Sequence, residues 1–137
     1  KRKTGSATHF YLENILHNTE AELKNAKMIT TARYGNMFGE EVLAVVFKNS
    51  DIFIEKFSWV FSDKYHIQRE FEIFEEIDNI KKTYRIDRLL VDKENKKIWI
   101  LDYKTGGKDE EQLENYKRIL EGQFGNEYKV ETMFLYV

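Results

Sequence analysis

The chain has 137 residues and contains neither cysteine nor proline. Without cysteine it has no disulfide framework, no cysteine-ligated zinc, no iron-sulfur cluster and no thiol nucleophile, because each of these requires sulfur. Any bound metal is then held by oxygen or imidazole nitrogen. The absence of proline argues against a stiff linker, and no segment is repetitive or of low complexity. We predict a single domain over residues 1–137.

Long apolar runs and an excess of charge of one sign are also missing. No run approaches the roughly 20 residues that cross a bilayer, and the N-terminus lacks the core of a signal peptide. We therefore predict a cytoplasmic protein with no membrane partner. The 22 basic residues are balanced by 24 acidic ones, so any contact with nucleic acid would be local. Because residue 1 is lysine, we expect the chain to come from a longer polypeptide.

Apolar residues are plentiful, at 42% of the chain with 15% aromatic, which excludes disorder throughout. Their spacing predicts a first helix from residue 6. Thr19 and Glu22 have the spacing of a capping box, which predicts a second helix that runs toward Gly35. Residues 40–48 are apolar nearly all round and predict a buried helix, with a strand as the alternative.

The second half of the chain has the alternation and the β-branched and aromatic content of strands. Polar residues 92–96 join two of these strands in a hairpin, Gly106 and Gly107 end the second of them, and Asp109 caps a following helix. The order predicts an α/β fold, with a small mixed central sheet of about four to five strands flanked by helices. The predicted strands and the helix stripe cover residues 67–74, 83–91, 97–104, 113–120 and 128–136.

The hairpin register gives the most specific inference. A turn centred on residues 94–95 places Asp87 opposite Asp102, whether two or four residues form the turn. Opposed residues of an antiparallel pair have Cβ atoms roughly 4.5 to 5.5 Å apart, so two carboxylates there require a cation or a shared proton. Lys104 lies on the same face, two residues beyond Asp102, and Arg85 is expected opposite it.

This arrangement is workable for hydrolysis assisted by a hard metal ion. Oxygen ligands from Asp87 and Asp102 suit Mg²⁺ or Mn²⁺, which keep several waters and complete their coordination with phosphate oxygens. The metal acidifies a bound water and stabilises negative charge. Lys104 would orient or help to deprotonate that water.

Several of these motifs resemble the PD-(D/E)XK nuclease superfamily, and more narrowly the RecB/AddA-type nuclease domain at the C-terminus of bacterial helicase-nucleases. They are Arg-Ile-Asp-Arg at 85–88, Ile-Leu-Asp-Tyr-Lys-Thr-Gly at 100–106, and Gln112 with Tyr116. Residues 4–9, Thr-Gly-Ser-Ala-Thr-His, are similar to that branch's glycine-to-histidine motif. The resemblance implies a restriction-endonuclease-like core.

The resemblance also implies roles for single residues. Asp87 and Asp102 bind Mg²⁺ together with the Tyr103 carbonyl, and Mn²⁺ can substitute. His9 adds an imidazole ligand, and Lys104 is catalytic. With no cysteine the chain resembles the branch without an iron-sulfur cluster.

Further positions support or depart from the family pattern. Gln112 and Tyr116 match a motif that packs beside the site and approaches DNA. The acidic residue of the preceding strand is Glu70 or Glu72, of which Glu70 is favoured. Tyr84 stands where the family usually has glycine, three residues before the first aspartate.

The implied function is that of a Mg²⁺-dependent deoxyribonuclease in double-strand break repair and recombination. Its substrate is single-stranded DNA, which a helicase domain of the same parent chain delivers, and a second helicase-nuclease subunit is a further expected partner. One alternative is a catalytically inactive nuclease-like module that clamps DNA or docks a partner. A second alternative is a free-standing structure-specific endonuclease.

Overall fold

A computed structural model describes residues 2–105 and 110–137. The chain divides into two compact units. The first, called the helical unit, comprises Lys1–Asp63 and Tyr136–Val137, and the second, called the sheet unit, comprises Lys64–Leu135. The single domain over residues 1–137 stays a prediction.

The helical unit contains α1 (Arg2–Glu13), α2 (Glu20–Phe38), α3 (Glu40–Lys56) and a short 3₁₀ helix (Ser58–Phe61). The two helices predicted from the apolar spacing and the capping box are thus present. In the described part of the chain, no helix combines the length and the apolar character that a membrane span requires.

Thr19 begins α2 as the capping-box spacing predicts, and its side chain accepts a hydrogen bond of 3.2 Å from the Glu22 N–H. The Glu22 carboxylate, however, accepts from the backbone N–H groups of Leu16 and His17, at 2.8 and 3.1 Å. These donors precede the helix, so the glutamate fixes the entering loop against the first turn of α2.

A glycine separates α2 from α3. Gly39 has a φ of 81°, in the region where glycine is favoured. The helix α2 therefore ends with Gly39 as its C-cap, beyond the predicted Gly35. The helix predicted at 40–48 is confirmed, but its description as buried all round is wrong. Val46 is 6% exposed whereas its neighbour Val45 is 56% exposed, because a helix that packs on one side turns its other face to water.

The sheet unit confirms the predicted α/β class. Its four strands lie in the order of the sequence, with β1 antiparallel to β2 and β2 antiparallel to β3. A helix connects β3 to β4, which is the type of crossover that a parallel pair requires, and the sheet is mixed. The elements are β1 (His66–Ile77), β2 (Ile80–Asp92), β3 (Lys97–Lys104), α4 (Glu110–Phe124) and β4 (Lys129–Tyr136).

The first two strands are longer than predicted because a tight turn joins them. Asp78 and Asn79 have φ values of 53° and 66°, and Ile77 pairs directly with Ile80. Two consecutive residues at positive φ are the signature of a two-residue type I′ hairpin turn, for which aspartate and asparagine are suited. This turn was not predicted from the sequence, because Asp-Asn lacks the glycine that usually marks such a turn.

The core of the sheet unit is formed by strand residues and by one face of α4. The helix stripe predicted around Tyr116 is confirmed, since its side chains are buried. The strand end predicted at Gly106 and Gly107 and the cap predicted at Asp109 lie outside the described residues. The stripe consists of Leu113, Tyr116, Ile119 and Leu120, packed with Ile73, Ile86, Leu89, Ile98, Ile100 and Val130.

Candidate metal centre

The pairing of β2 with β3 has the predicted register. Its ladder runs from Asp92 with Lys97 to Arg88 with Leu101. Extended by one residue, the same register places Asp87 opposite Asp102. The two aspartates therefore meet at the end of the β2–β3 ladder that lies farthest from its turn.

At this end of the hairpin, a side chain rather than a backbone carbonyl accepts the hydrogen bond from the neighbouring strand. The Tyr103 N–H donates to Oδ2 of Asp87 at 2.9 Å, so a carboxylate accepts a hydrogen bond from the neighbouring strand. The carboxyl group of Asp87 also acts on that of Asp102 and raises its pKa. Both side chains are buried, with 9% and 5% exposure. Two acidic groups in contact away from water cannot both ionise cheaply.

The electrostatics of the pair follow from this crowding. Burial, reinforced by the neighbouring Asp87, raises the pKa of Asp102 to about 6, although Lys104 acts in the opposite direction. The ordinary pKa of an aspartate is about 3.9. A positive charge placed between the two carboxyl groups would relieve this cost, because it favours both ionised forms.

Lys104 reaches the same carboxyl group. Its Nζ lies 3.0 Å from Oδ2 of Asp102, with 20% of the lysine side chain exposed. The ammonium also lies 5.5 Å from the centre of the Phe134 ring. This buried oxygen forms an ion pair with Lys104 but receives no hydrogen bond from the described residues. Oδ2 of Asp102 is thus a buried acceptor with spare capacity.

The acidic residue expected on the preceding strand is also near. The residues on either side of Glu70 pair with β2 in a register that places Glu70 opposite Asp87. Glu70 has a φ of 50°, a left-handed conformation that is unusual in a strand and recurs at functional sites. Arg85 lies 3.6 Å from Glu70 and 3.5 Å from Glu72. The two candidate glutamates therefore share one arginine.

Tyr116 fixes α4 beside this part of β2. Its side chain is 1% exposed, and its hydroxyl donates to the Arg85 carbonyl at 3.0 Å. The ring also makes an edge contact with Tyr84, with centroids 5.7 Å apart. Tyr84 lies within a continuous strand β2. Gln112 is half-buried on the same helix.

A fully buried arginine lies next to the aspartate pair in the chain. Arg88 is 0% exposed, and its positive charge acts on the side chain of Tyr103. Burial raises the pKa of Tyr103 to about 12, against the effect of Arg88. A buried guanidinium is costly unless charged and polar groups compensate it. No role was predicted for Arg88 from the sequence, and only its complete burial distinguishes it.

His9 lies on α1 in the helical unit and is half-buried. Asp87 and Asp102 belong to the sheet unit, and the ligand role of His9 stays a prediction. Over residues 2–105 and 110–137, no group of three or more histidine, aspartate or glutamate side chains could hold a metal ion by itself. The structure thus brings together Asp87, Asp102, Lys104 and the main chain of Tyr103.

The donor chemistry of this centre fits a hard divalent cation. Carboxylate oxygens are the ligands that Mg²⁺ prefers, and this ion usually needs only one or two of them, with waters and substrate phosphates completing its octahedron. The spare capacity of Asp102 Oδ2 and the cost of ionising the pair both favour a bound cation. Fewer than three side-chain ligands is therefore compatible with magnesium.

Comparison with known proteins adds little to this geometry. No family model and no curated protein matches the chain. The crystal structure of protein VC1899 from Vibrio cholerae is similar at 9% sequence identity with a TM-score of 0.45, over 96% of this chain and 41% of that one. The chain thus spans less than half of that protein's length. A similarity this low identifies neither a family nor an activity.

Proposed function

We propose that the chain is a metal-dependent DNA nuclease domain that hydrolyses phosphodiester bonds. The observation that supports this most is the meeting of Asp87 and Asp102 at the open end of the β2–β3 hairpin, with Lys104 Nζ 3.0 Å from Asp102. Its resemblance to the RecB/AddA-type branch of the PD-(D/E)XK superfamily rests on the same residues. In this proposal the core is restriction-endonuclease-like.

Asp87 and Asp102, with the Tyr103 carbonyl and His9 as the resemblance implies, would hold Mg²⁺ or Mn²⁺. When bound, such an ion supplies Lewis acidity toward a phosphate oxygen and lowers the pKa of a water molecule. The buried position of the two carboxylates strengthens their interaction with a cation, because little solvent competes there.

Lys104 acts next to these ligands. Its ammonium donates hydrogen bonds to the attacking water or to a non-bridging phosphate oxygen, and its charge offsets the negative charge that develops at phosphorus. In the reaction a bond forms between the water oxygen and phosphorus, the water gives up a proton to solvent, one ester P–O bond breaks, and the leaving oxygen takes up a proton from solvent. Glu70 with Arg85 and Gln112 with Tyr116 support the centre from β1 and α4.

The proposed substrate is single-stranded DNA, handed to the site by a helicase domain of the same parent chain, with a second helicase-nuclease subunit as a further partner. The net charge of −2 is in keeping with this arrangement. A motor that threads the strand removes the need for a strongly basic surface, because phosphate neutralisation otherwise provides most of the affinity for DNA. The biological role is then exonuclease action in double-strand break repair and recombination.

A cleavage assay tests the proposal. The 137-residue chain is incubated with end-labelled single-stranded DNA in Mn²⁺, in Mg²⁺ and in EDTA, together with Lys104→Met. Lys97→Met is the matched control, because Lys97 also lies on β3 and over an aromatic ring, that of Trp99 at 5.4 Å. We expect cleavage that needs the metal, falls at least about 100-fold in Lys104→Met, and is unchanged in the control.

The two alternative functions predict different results in the same experiment. DNA binding without cleavage by the wild type contradicts the proposal and favours the clamp or docking module. Nicking of a branched duplex, with no action on single strands, favours the structure-specific endonuclease. Cleavage that persists in EDTA or in Lys104→Met contradicts the proposed mechanism.

A further inference from the structure

We propose that Phe134 is a positioning residue that holds the Lys104 ammonium against Asp102. The inference rests on the proposed function and assigns to β4 a part in the same site. No motif of the sequence analysis includes Phe134, which lies beyond the segments that carry the family resemblance.

The contact joins neighbouring strands. Lys104 is the last residue of β3, and Phe134 lies on β4, which is hydrogen-bonded to β3. The ammonium lies 5.5 Å from the ring centre and 3.0 Å from Oδ2 of Asp102. Phe134 is half-buried and packs against the core of the sheet unit, so the core holds its ring in place. The Lys104 ammonium is therefore positioned by the carboxylate of Asp102 and by the Phe134 ring.

An aromatic ring suits this task for a physical reason. Its face attracts a cation within about 6 Å of its centre, but it does not take up the N–H groups as a strong acceptor would. The donors of the ammonium stay available to Asp102 and to the reactants. A lysine has a flexible four-carbon stem, and fixing it before substrate arrives lowers the entropy lost in the transition state.

A second lysine-aromatic contact in the sheet unit offers a matched control. Lys81 Nζ lies 4.3 Å from the centre of the Phe74 ring, which is closer than the contact of Lys104. Phe74 is 59% exposed on the β1–β2 hairpin and has no part in the site. Removal of its ring deletes a cation–π contact of the same type without a link to the proposed reaction.

The experiment compares Phe134→Leu, Phe134→Tyr and Phe74→Leu with the wild type in steady-state cleavage of single-stranded DNA with Mn²⁺. We expect Phe134→Leu to lower kcat by about three- to thirtyfold with little change in KM, which is the range that cation–π energies allow. Phe134→Tyr keeps the ring and should stay within about twofold of the wild type. The control Phe74→Leu should also keep its kcat within about twofold of the wild type. Circular dichroism verifies that each variant folds.

A second readout does not depend on cleavage. In proton NMR spectra of the metal-free wild type, the ring current of Phe134 should shift the ε-methylene signals of Lys104 upfield, and Phe134→Leu should abolish this shift. An unshifted signal in the wild type overturns the inference even if Phe134→Leu does not fold. An unchanged kcat in a folded Phe134→Leu, or an equal loss in Phe134→Tyr, overturns it also. Absence of cleavage by the wild type instead overturns the proposed function itself.

Discussion

The two ends of the β2–β3 hairpin each contain a buried aspartate, but the pKa values of the two residues are shifted in opposite directions. Asp92, at the turn, is 8% exposed, and Asp102, at the open end, is 5% exposed. Asp92 accepts hydrogen bonds from the backbone N–H and the side-chain amide of Asn95, at 3.0 and 2.9 Å. Those two hydrogen bonds lower its pKa, whereas burial and Asp87 raise the pKa of Asp102 to about 6.

The difference shows how a structural carboxylate can be told from a candidate ligand. The same pair of strands and the same register present both aspartates, so neither burial nor strand position separates them. Asp92 receives its donors from the turn that it stabilises. Asp102 has an acidic neighbour and an oxygen without a hydrogen bond, and this unfavourable state is typical of functional groups.

The largest expected effect is on catalysis. Asp102→Asn should lower Mn²⁺-dependent DNA cleavage by at least about 100-fold, because an amide cannot supply the charge that a divalent ion requires. Asp92→Asn should cleave within about twofold of the wild type, since its carboxylate serves the turn. The activities are measured as kcat/KM on single-stranded DNA. If both variants lost the same activity, the catalytic role would not be specific to Asp102.

Metal binding should separate the two aspartates without any reaction. A ligand that binds only the folded state stabilises it by about 2.7 kcal/mol at 100 times its Kd. Mn²⁺ should therefore raise the Tm of the wild type and of Asp92→Asn, but not that of Asp102→Asn. Differential scanning calorimetry over a series of Mn²⁺ concentrations measures this. A Tm of Asp102→Asn that rises as in the wild type would show that the ion binds elsewhere.

In the presence of a metal chelator, the substitution Asp102→Asn should stabilise the folded state. At pH 7 the folded state holds an ionised Asp102 at a cost, and Asp102→Asn should raise the free energy of unfolding by about 1 to 2 kcal/mol. Since the folded pKa is raised, wild-type stability from this group falls as the pH increases from about 4 to about 6. The gain in Asp102→Asn should therefore diminish below that range. Urea unfolding in EDTA at several pH values measures it, and a loss of stability at pH 7 would contradict the account.

The smallest effect is expected at the turn. Because the pKa of Asp92 is lowered in the folded state, its contribution to stability is present above the unfolded pKa of about 3.9 and is lost as the pH falls through the folded value. Asp92→Asn should lower the Tm at pH 7 and converge on the wild type in strong acid. A Tm difference that is independent of pH would indicate that the charge of Asp92 has no role.

The sequence predicted the parts of this site that depend on local pattern. Two polar-bounded apolar runs specified the β2–β3 hairpin, and the centre of its turn fixed the register that brings Asp87 to Asp102. The α4 stripe around Tyr116 was predicted for the same reason, since periodicity determines which face of an element is buried.

The remaining features depend on contacts that no local pattern encodes. The left-handed Glu70, the hydrogen bond from the Tyr103 N–H to Asp87 and the ring of Phe134 beside Lys104 arise from the packing of neighbouring strands. Arg88 appeared in the sequence as one charge among many, and only its complete burial distinguishes it. Tertiary packing of this kind overrides intrinsic propensity.

The central claim is that Asp87 and Asp102 together bind one divalent ion. Anomalous diffraction from a crystal of the 137-residue chain soaked in Mn²⁺ tests it most directly. We predict an anomalous peak within about 2.5 Å of a carboxylate oxygen from each aspartate. A well-diffracting soaked crystal with no peak there, or with a peak that only one of the two aspartates contacts, would contradict the claim.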